Sequence, residues 1–161
     1  MGLHLGNHSY VGTYHLKGDM NSVIVGKYCS LANNIVFDCG WSHDGNNIST
    51  YPFHTWGLTP NNNVSKGDII IGNDVWIGEE CIIMSGVEIG DGSIIGARSI
   101  VSKSVPDYHT VYGNCKSMKP RFTAKQIQQL QELKWWNLPD AKVREIASIL
   151  HSRDFDKLRG I

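Results

Sequence analysis

The chain has 161 residues, 41% of them hydrophobic, with 15 basic and 15 acidic side chains. This suits one principal domain with an appendage, and a formal charge of zero gives no electrostatic basis for capturing nucleic acid or an anionic membrane surface. The N-terminus MGLHLGNHSY lacks a basic start and an apolar run, and no apolar stretch approaches the ~18 residues of a membrane span, so the expected setting is cytoplasmic.

Taken in order, the chain opens on a weak period of six. Leu5 to Tyr10 is one block and Val11-Gly12 opens another. Residues 13–22, GTYHLKGDMN, break the register. The pattern resumes at Val25-Gly26 and Leu31-Ala32, and Phe37 opens a block that completes a coil. Residues 43–67 carry no period and are rich in Asn, Ser, Thr, Gly and Pro, which are turn formers. They also contain Tyr51, Phe53 and Trp56, rings that a solvated linker would not carry. Long unstructured loops in compact domains are usually functional or disordered, and the aromatic content argues for function. The expectation is an excursion from one corner that packs back onto the coil or onto a neighbouring subunit.

The strongest signal is Ile71 to Pro106, which divides into IGNDVW IGEECI IMSGVE IGDGSI IGARSI VSKSVP. The first residues are Ile71, Ile77, Ile83, Ile89, Ile95 and Val101, and the fifth are Val75, Cys81, Val87, Ser93, Ser99 and Val105. A fixed period of six is a repeat, not a helix or a simple strand. It places one aliphatic knob on each flat face of a prism, with a glycine or small polar residue permitting the bend between faces. Three faces make one coil of a parallel β-helix, of about eighteen residues. Cys29 and Cys81 fall at the small fifth position, where packing is the natural role, and reduced thiols are expected for all the cysteines.

Beyond the repeat, Thr123 to Gln126 spells a capping box, followed by an apolar stripe at Ile127, Leu130 and Leu133. Pro139 and Asp140 suit the start of a second helix, with Val143, Ile146, Ala147 and Leu150 on one face. The expected organisation is a β-helix domain over residues 1–120, with the excursion at 43–67, and a helical appendage over 121–161.

The run NDVWIG at Asn73 to Gly78, followed by IGDGSIIGARSIVSKSVP, resembles the hexapeptide-repeat acyltransferases, whose prism is a left-handed parallel β-helix. His43 with STYPF at Ser49 to Phe53 is similar to the catalytic loop of the xenobiotic acetyltransferase branch, which includes streptogramin and type B chloramphenicol acetyltransferases. ELKWWNLP at Glu132 to Pro139 matches that branch's C-terminal signature, while Gly113-Asn114-Cys115 stands where the family commonly has Gly-Asn-Pro. The resemblance implies acetyl transfer from acetyl-coenzyme A to a hydroxyl of a small acceptor, in a homotrimer with active sites between neighbouring prisms. The chain begins almost at its first coil, so a sugar or polysaccharide unit is as fitting an acceptor as an antibiotic.

Direct attack of an acceptor on a thioester needs a base but no enzyme nucleophile. His43 is the expected general base, since a neutral imidazole accepts a proton near neutral pH. Asp44 or a backbone carbonyl orients its ring. Trp76, at the variable sixth position, points outward as the wall of a cleft. The resemblance implies that it meets the coenzyme together with Gly78, Ala97, Ser102 and Lys103, the last three along one wall, and Lys119 and Arg121 are assigned to the coenzyme's phosphates. Tyr10, Tyr51 and Phe53 are assigned to the acceptor. No metal is expected: His4 and His8, four apart, do not share a face on a six-period coil, and the main repeat holds no third histidine. Two other readings stand beside this one, a non-catalytic trimeric binding module and N-acetylation of an amino sugar.

Overall fold

The computed structural model describes residues 1–161, the side chain of Arg159 aside. The chain divides into two compact units, Met1–Lys119 and Pro120–Ile161.

The first unit is built from short strands that recur in threes. The first coil holds β1 (Leu3–Leu5), β2 (Tyr10–Val11) and β3 (Tyr14–Lys17). The second holds β4 (Val23–Val25), β5 (Ser30–Leu31) and β6 (Ile35–Asp38). The third holds β7 (Ile69–Ile71), β8 (Trp76–Ile77) and β9 (Ile82–Ile83), and the fourth β10 (Glu88–Ile89), β11 (Ile94–Ile95) and β12 (Ile100–Val101). Equivalent strands stack in parallel, giving sheets ordered β1-β4-β7-β10 and β3-β6-β9-β12, with β2-β5-β8-β11 between them in the chain. Two further strands, β13 (His109–Tyr112) and β14 (Ser117–Pro120), extend this second sheet. This is the parallel β-helix expected from the hexads, with the left hand that the family resemblance implied.

The knobs fill the interior. All six first-position residues from Ile71 to Val101 are at most 2% exposed, and all six fifth-position residues are at most 3% exposed. Each face therefore gives one aliphatic and one smaller group to the core. The thiols of Cys29 and Cys81 donate to the carbonyls of Gly72 and Gly96 at 3.1 and 3.2 Å and the Ser93 hydroxyl to the Pro106 carbonyl at 2.8 Å, whereas the buried Ser99 hydroxyl has no hydrogen-bond partner.

The corners correct the expectation about glycine. The bend is made at the fourth position, where Asp74, Glu80, Gly86, Gly92 and Arg98 have φ of 54, 59, 71, 66 and 61°. The second-position glycines Gly72, Gly78, Gly90 and Gly96 are not among the residues with positive φ. They are small because successive coils approach closely there: a Cβ on Gly78 would lie 2.6 Å from the Ala97 nitrogen. One corner is further tied by a polar ladder. Asn73 Oδ1 accepts from the Lys27 N–H (2.9 Å), Asp91 Oδ1 from the Asn73 N–H (2.6 Å) and Asp107 Oδ1 from the Asp91 N–H (2.8 Å).

The register break at residues 13–22 also reads differently in three dimensions. Tyr14–Lys17 is a strand paired to Ile35–Asp38, with Leu16 opposite the buried Phe37. The first coil is complete, and the extra residues sit at its corners.

The second unit opens with α1 (Ala124–Leu133), whose capping box is present: Thr123 Oγ1 accepts from the Gln126 N–H, and Gln126 Oε1 accepts from the Thr123 N–H. Lys134, in the left-handed region at φ 43°, ends α1, and a 3-10 turn covers Trp135–Asn137. Pro139 precedes α2 (Asp140–Leu150), with Asp140 in the first turn. Leu130, Trp135, Trp136 and Ile146 are the buried hydrophobic residues of this unit, whereas Ile127, Leu133, Val143 and Leu150 are half-buried and Ala147 is exposed. The tail folds into a 3-10 helix over Phe155–Gly160, and the Phe155 and Phe122 rings meet edge to face at 5.1 Å. Among the described residues, no helix is long and apolar enough to cross a membrane.

Three outcomes test this packing. Gly78→Ala should cost about 1–3 kcal/mol in urea unfolding, because its Cβ meets backbone. Glu80→Gly should change stability by less than about 1 kcal/mol, since relief of the left-handed strain offsets the lost surface ion pair to Arg98. Burial pushes the thiols of Cys29, Cys39 and Cys81 up, whereas Cys115 is half-buried. A disulfide reagent at neutral pH should therefore modify Cys115 alone in the folded protein and all four cysteines in denaturant. Rapid reaction of a second thiol in the folded state would contradict the packed core.

Candidate active site

The excursion leaves the prism after β6 and returns before β7. Its base is closed by an antiparallel bridge in which Ser42 and Val64 exchange both backbone hydrogen bonds, at 3.1 and 2.8 Å. Inside it, a 3-10 turn over Phe53–Trp56 ends at Gly57, whose φ is 70°. Tyr51, Phe53 and Trp56 cluster, with ring centroids 5.0, 5.3 and 6.3 Å apart. Of the two coverings expected for the loop's rings, their own coil does not supply one. The rings gather on one another and stay open to solvent, Trp56 by 66%, because the surrounding Asn, Ser and Pro residues supply no aliphatic cover and Ile48 and Leu58 themselves face outward.

His43 stands just inside the bridge and is exposed. Its Nδ1 lies 2.6 Å from the Thr50 carbonyl. A carbonyl oxygen only accepts, so in the neutral ring Nδ1 carries the proton and Nε2 keeps its lone pair. Asp44 takes no part: its Oδ1 accepts from the Asn46 backbone N–H and Nδ2, both at 2.9 Å. Of the two candidate orienters, the ring contacts the backbone carbonyl.

The remaining site residues fall into separate groups. Trp76 lies on β8, points outward and is 55% exposed. The parallel register puts it in one outward row with Tyr10, Ser30, Ile94 and Thr110, so Tyr10 and Trp76 share the outer wall of the second sheet with Ser30 between them. Gly78 and Ala97 meet at the corner between the second and third sheets. Ser102 and Lys103 are exposed on the segment that follows β12, at the next corner. Ala97 on one side and Ser102 and Lys103 on the other thus stand at the two corners that bound the third sheet, one short strand apart. Lys119 is exposed on β14, and the half-buried Arg121 holds its guanidinium 4.8 Å over the Phe122 ring.

The sequence reading allowed a backbone carbonyl beside His43 but not which one, because that of Thr50 leaves no side-chain signal. It named Trp56 among the loop rings without assigning it to the site, and Trp56 completes the cluster. One further feature escaped it. Trp41 adopts φ 70° two residues before His43, and nothing in its hexad marked that conformation. Among the described residues, no three His, Cys, Asp or Glu side chains converge as a metal-binding set; His8 stacks on Tyr28 at 4.6 Å.

A family model of bacterial transferase hexapeptides, in six repeats, matches residues 68–103. The chain is 42% identical over 148 residues to a probable macrolide acetyltransferase of Lysinibacillus sphaericus, covering 86% of this chain and 81% of that one. It is 37% identical over 147 residues to a chloramphenicol acetyltransferase of Morganella morganii, covering 84% and 69%. A solved galactoside acetyltransferase in complex with coenzyme A is similar at a TM-score of 0.60 and 30% identity. The match covers 74% of this chain and 56% of that one, so the chain spans little more than half of that neighbour's length. The sequence likeness reaches far beyond the repeats themselves, and on this ground the chain belongs to the hexapeptide-repeat acetyltransferases.

Proposed function

We propose that the protein transfers the acetyl group of acetyl-coenzyme A to a hydroxyl of a small acceptor, with His43 as general base. The observation that carries this reading is the 2.6 Å contact from His43 Nδ1 to the Thr50 carbonyl, which leaves Nε2 as the proton acceptor in an aromatic loop. In this reading Nε2 takes the acceptor's hydroxyl proton as its oxygen attacks the thioester carbonyl. The tetrahedral intermediate then collapses, the carbon–sulfur bond breaks, and the imidazolium returns the proton to the coenzyme thiolate. No covalent enzyme intermediate is needed.

The coenzyme arm is assigned to Gly78, Ala97, Ser102 and Lys103, its phosphates to Lys119 and Arg121, and the acetyl end to Trp76. Tyr10, Tyr51 and Phe53 are assigned to the acceptor. The scattering of these groups around one prism supports a homotrimer, in which edges far apart on one chain face each other across a cleft. The exposed ring cluster supports the same assembly. The relatives' names point to an antibiotic or a sugar hydroxyl as acceptor, and we place the reaction in the cytoplasm.

Release of free thiol from acetyl-coenzyme A, followed with a macrolide, chloramphenicol, a galactoside and an amino sugar, tests the reaction and separates O- from N-acetylation. His43→Ala should lower kcat by about 10²–10⁴-fold while acetyl-coenzyme A still raises its melting temperature. Full activity in that variant would remove His43 as the base. Saturation at ~100 times Kd should stabilise the wild type by about 2.7 kcal/mol, and no stabilisation at all would favour a binding module instead. Sedimentation should give three times the mass of the 17.9 kDa chain; a monomer would rule out the shared cleft.

A further inference from the structure

The stretch that broke the hexad register holds both arms of the excursion at its root. Asn21 Nδ2 donates to the Cys39 carbonyl on the outgoing arm at 2.9 Å, and also to Ser65 Oγ on the returning arm. Beside it, the Ser22 N–H donates to Asp68 Oδ1 at 2.8 Å. Asp19 Oδ1 accepts from the Trp41 indole N–H at 2.9 Å, and the Trp41 backbone N–H reaches the Met20 sulfur at 3.4 Å. Lys17 pairs with the buried Asp38 at 3.3 Å, and Asp38 also accepts from the Gly40 N–H.

Trp41 is the point where the chain turns out of the coil. A bulky residue at φ 70° is strained, and such conformations persist only where surrounding contacts over-determine them. Here the contacts are those from Asp19 and Met20, and the strained residue is two positions before His43. None of the described contacts joins these side chains to the ring cluster.

We infer that Asp19, Asn21 and Trp41 form a clamp that positions His43, by fixing the direction in which the loop leaves the prism. They are positioning residues and touch no reacting atom. The inference rests on the reading of His43 as the base, and its first test does not depend on the acceptor. Nitrogen NMR of the histidine rings, with His43 assigned from the spectrum of His43→Ala, should show a single Nδ1–H tautomer in the wild type. Asp19→Ala and Trp41→Phe, which each delete one side of the indole hydrogen bond, should shift His43 toward a mixture of tautomers. Asp19→Asn, which keeps an acceptor oxygen, should preserve the wild-type signals.

In thiol release with the acceptor turned over in the panel above, Asp19→Ala and Trp41→Phe should lower kcat about tenfold or more, since small displacements of a catalytic group are costly. KM for acetyl-coenzyme A should stay within about twofold. Unchanged tautomer and kcat in both variants, with His43→Ala inactive, would overturn the clamp and leave the base standing. A disturbed tautomer with His43→Ala fully active would keep the clamp and overturn the base. Equal loss in Asp19→Asn and Asp19→Ala would also overturn the clamp, because the accepting oxygen would then not be what matters.

Discussion

A three-sided coil has room inside for one aliphatic side chain and one smaller group per face, and the rest of the molecule answers to that limit. The knobs from Ile71 to Val101 and the small partners from Val75 to Val105 meet it without exception. Burial of a full aliphatic side chain contributes roughly 1.5–3 kcal/mol, and here the burial is repeated at every face. Because the interior is narrow, coils must stack closely, which accounts for glycine at the second position. Because each face is only a few residues long, the chain must turn sharply, which accounts for the left-handed residue at the fourth.

The prism was legible for the same reason that it is stable. A constraint that recurs every six residues writes itself into the sequence every six residues. The capping box at Thr123 and Gln126 was equally plain, being a local rule between two nearby residues. The division of labour among corner residues was harder to see. Asp74, Glu80 and Arg98 occupy left-handed positions that glycine takes at Gly86 and Gly92, so no single residue type marks the bend. The strand Tyr14–Lys17 was hidden because its coil partners are displaced by extra corner residues, and hexad spacing fails there although pairing does not.

The candidate site was legible only in part. His43, Trp76 and the loop rings stand out by residue type and context. Their arrangement does not, since it depends on ties between residues distant in sequence. Asn21 reaches Cys39 across 18 positions and Ser65 across 44. The Thr50 carbonyl is invisible to any reading of side chains, yet it settles which nitrogen of His43 carries the proton.

The excursion interrupts the stack without weakening it. Corner partners in the third and fourth coils, such as Asn73 and Asp91, are 18 residues apart, whereas Lys27 and Asn73, across the excursion, are separated by 46. Closing a flexible loop costs only about 0.6 kcal/mol more for each doubling of its length. The length of the segment bearing His43 is therefore nearly decoupled from the thermodynamics of the scaffold. A chain built this way can lengthen, shorten or rewrite this loop while the stacked coils beneath it keep the same register.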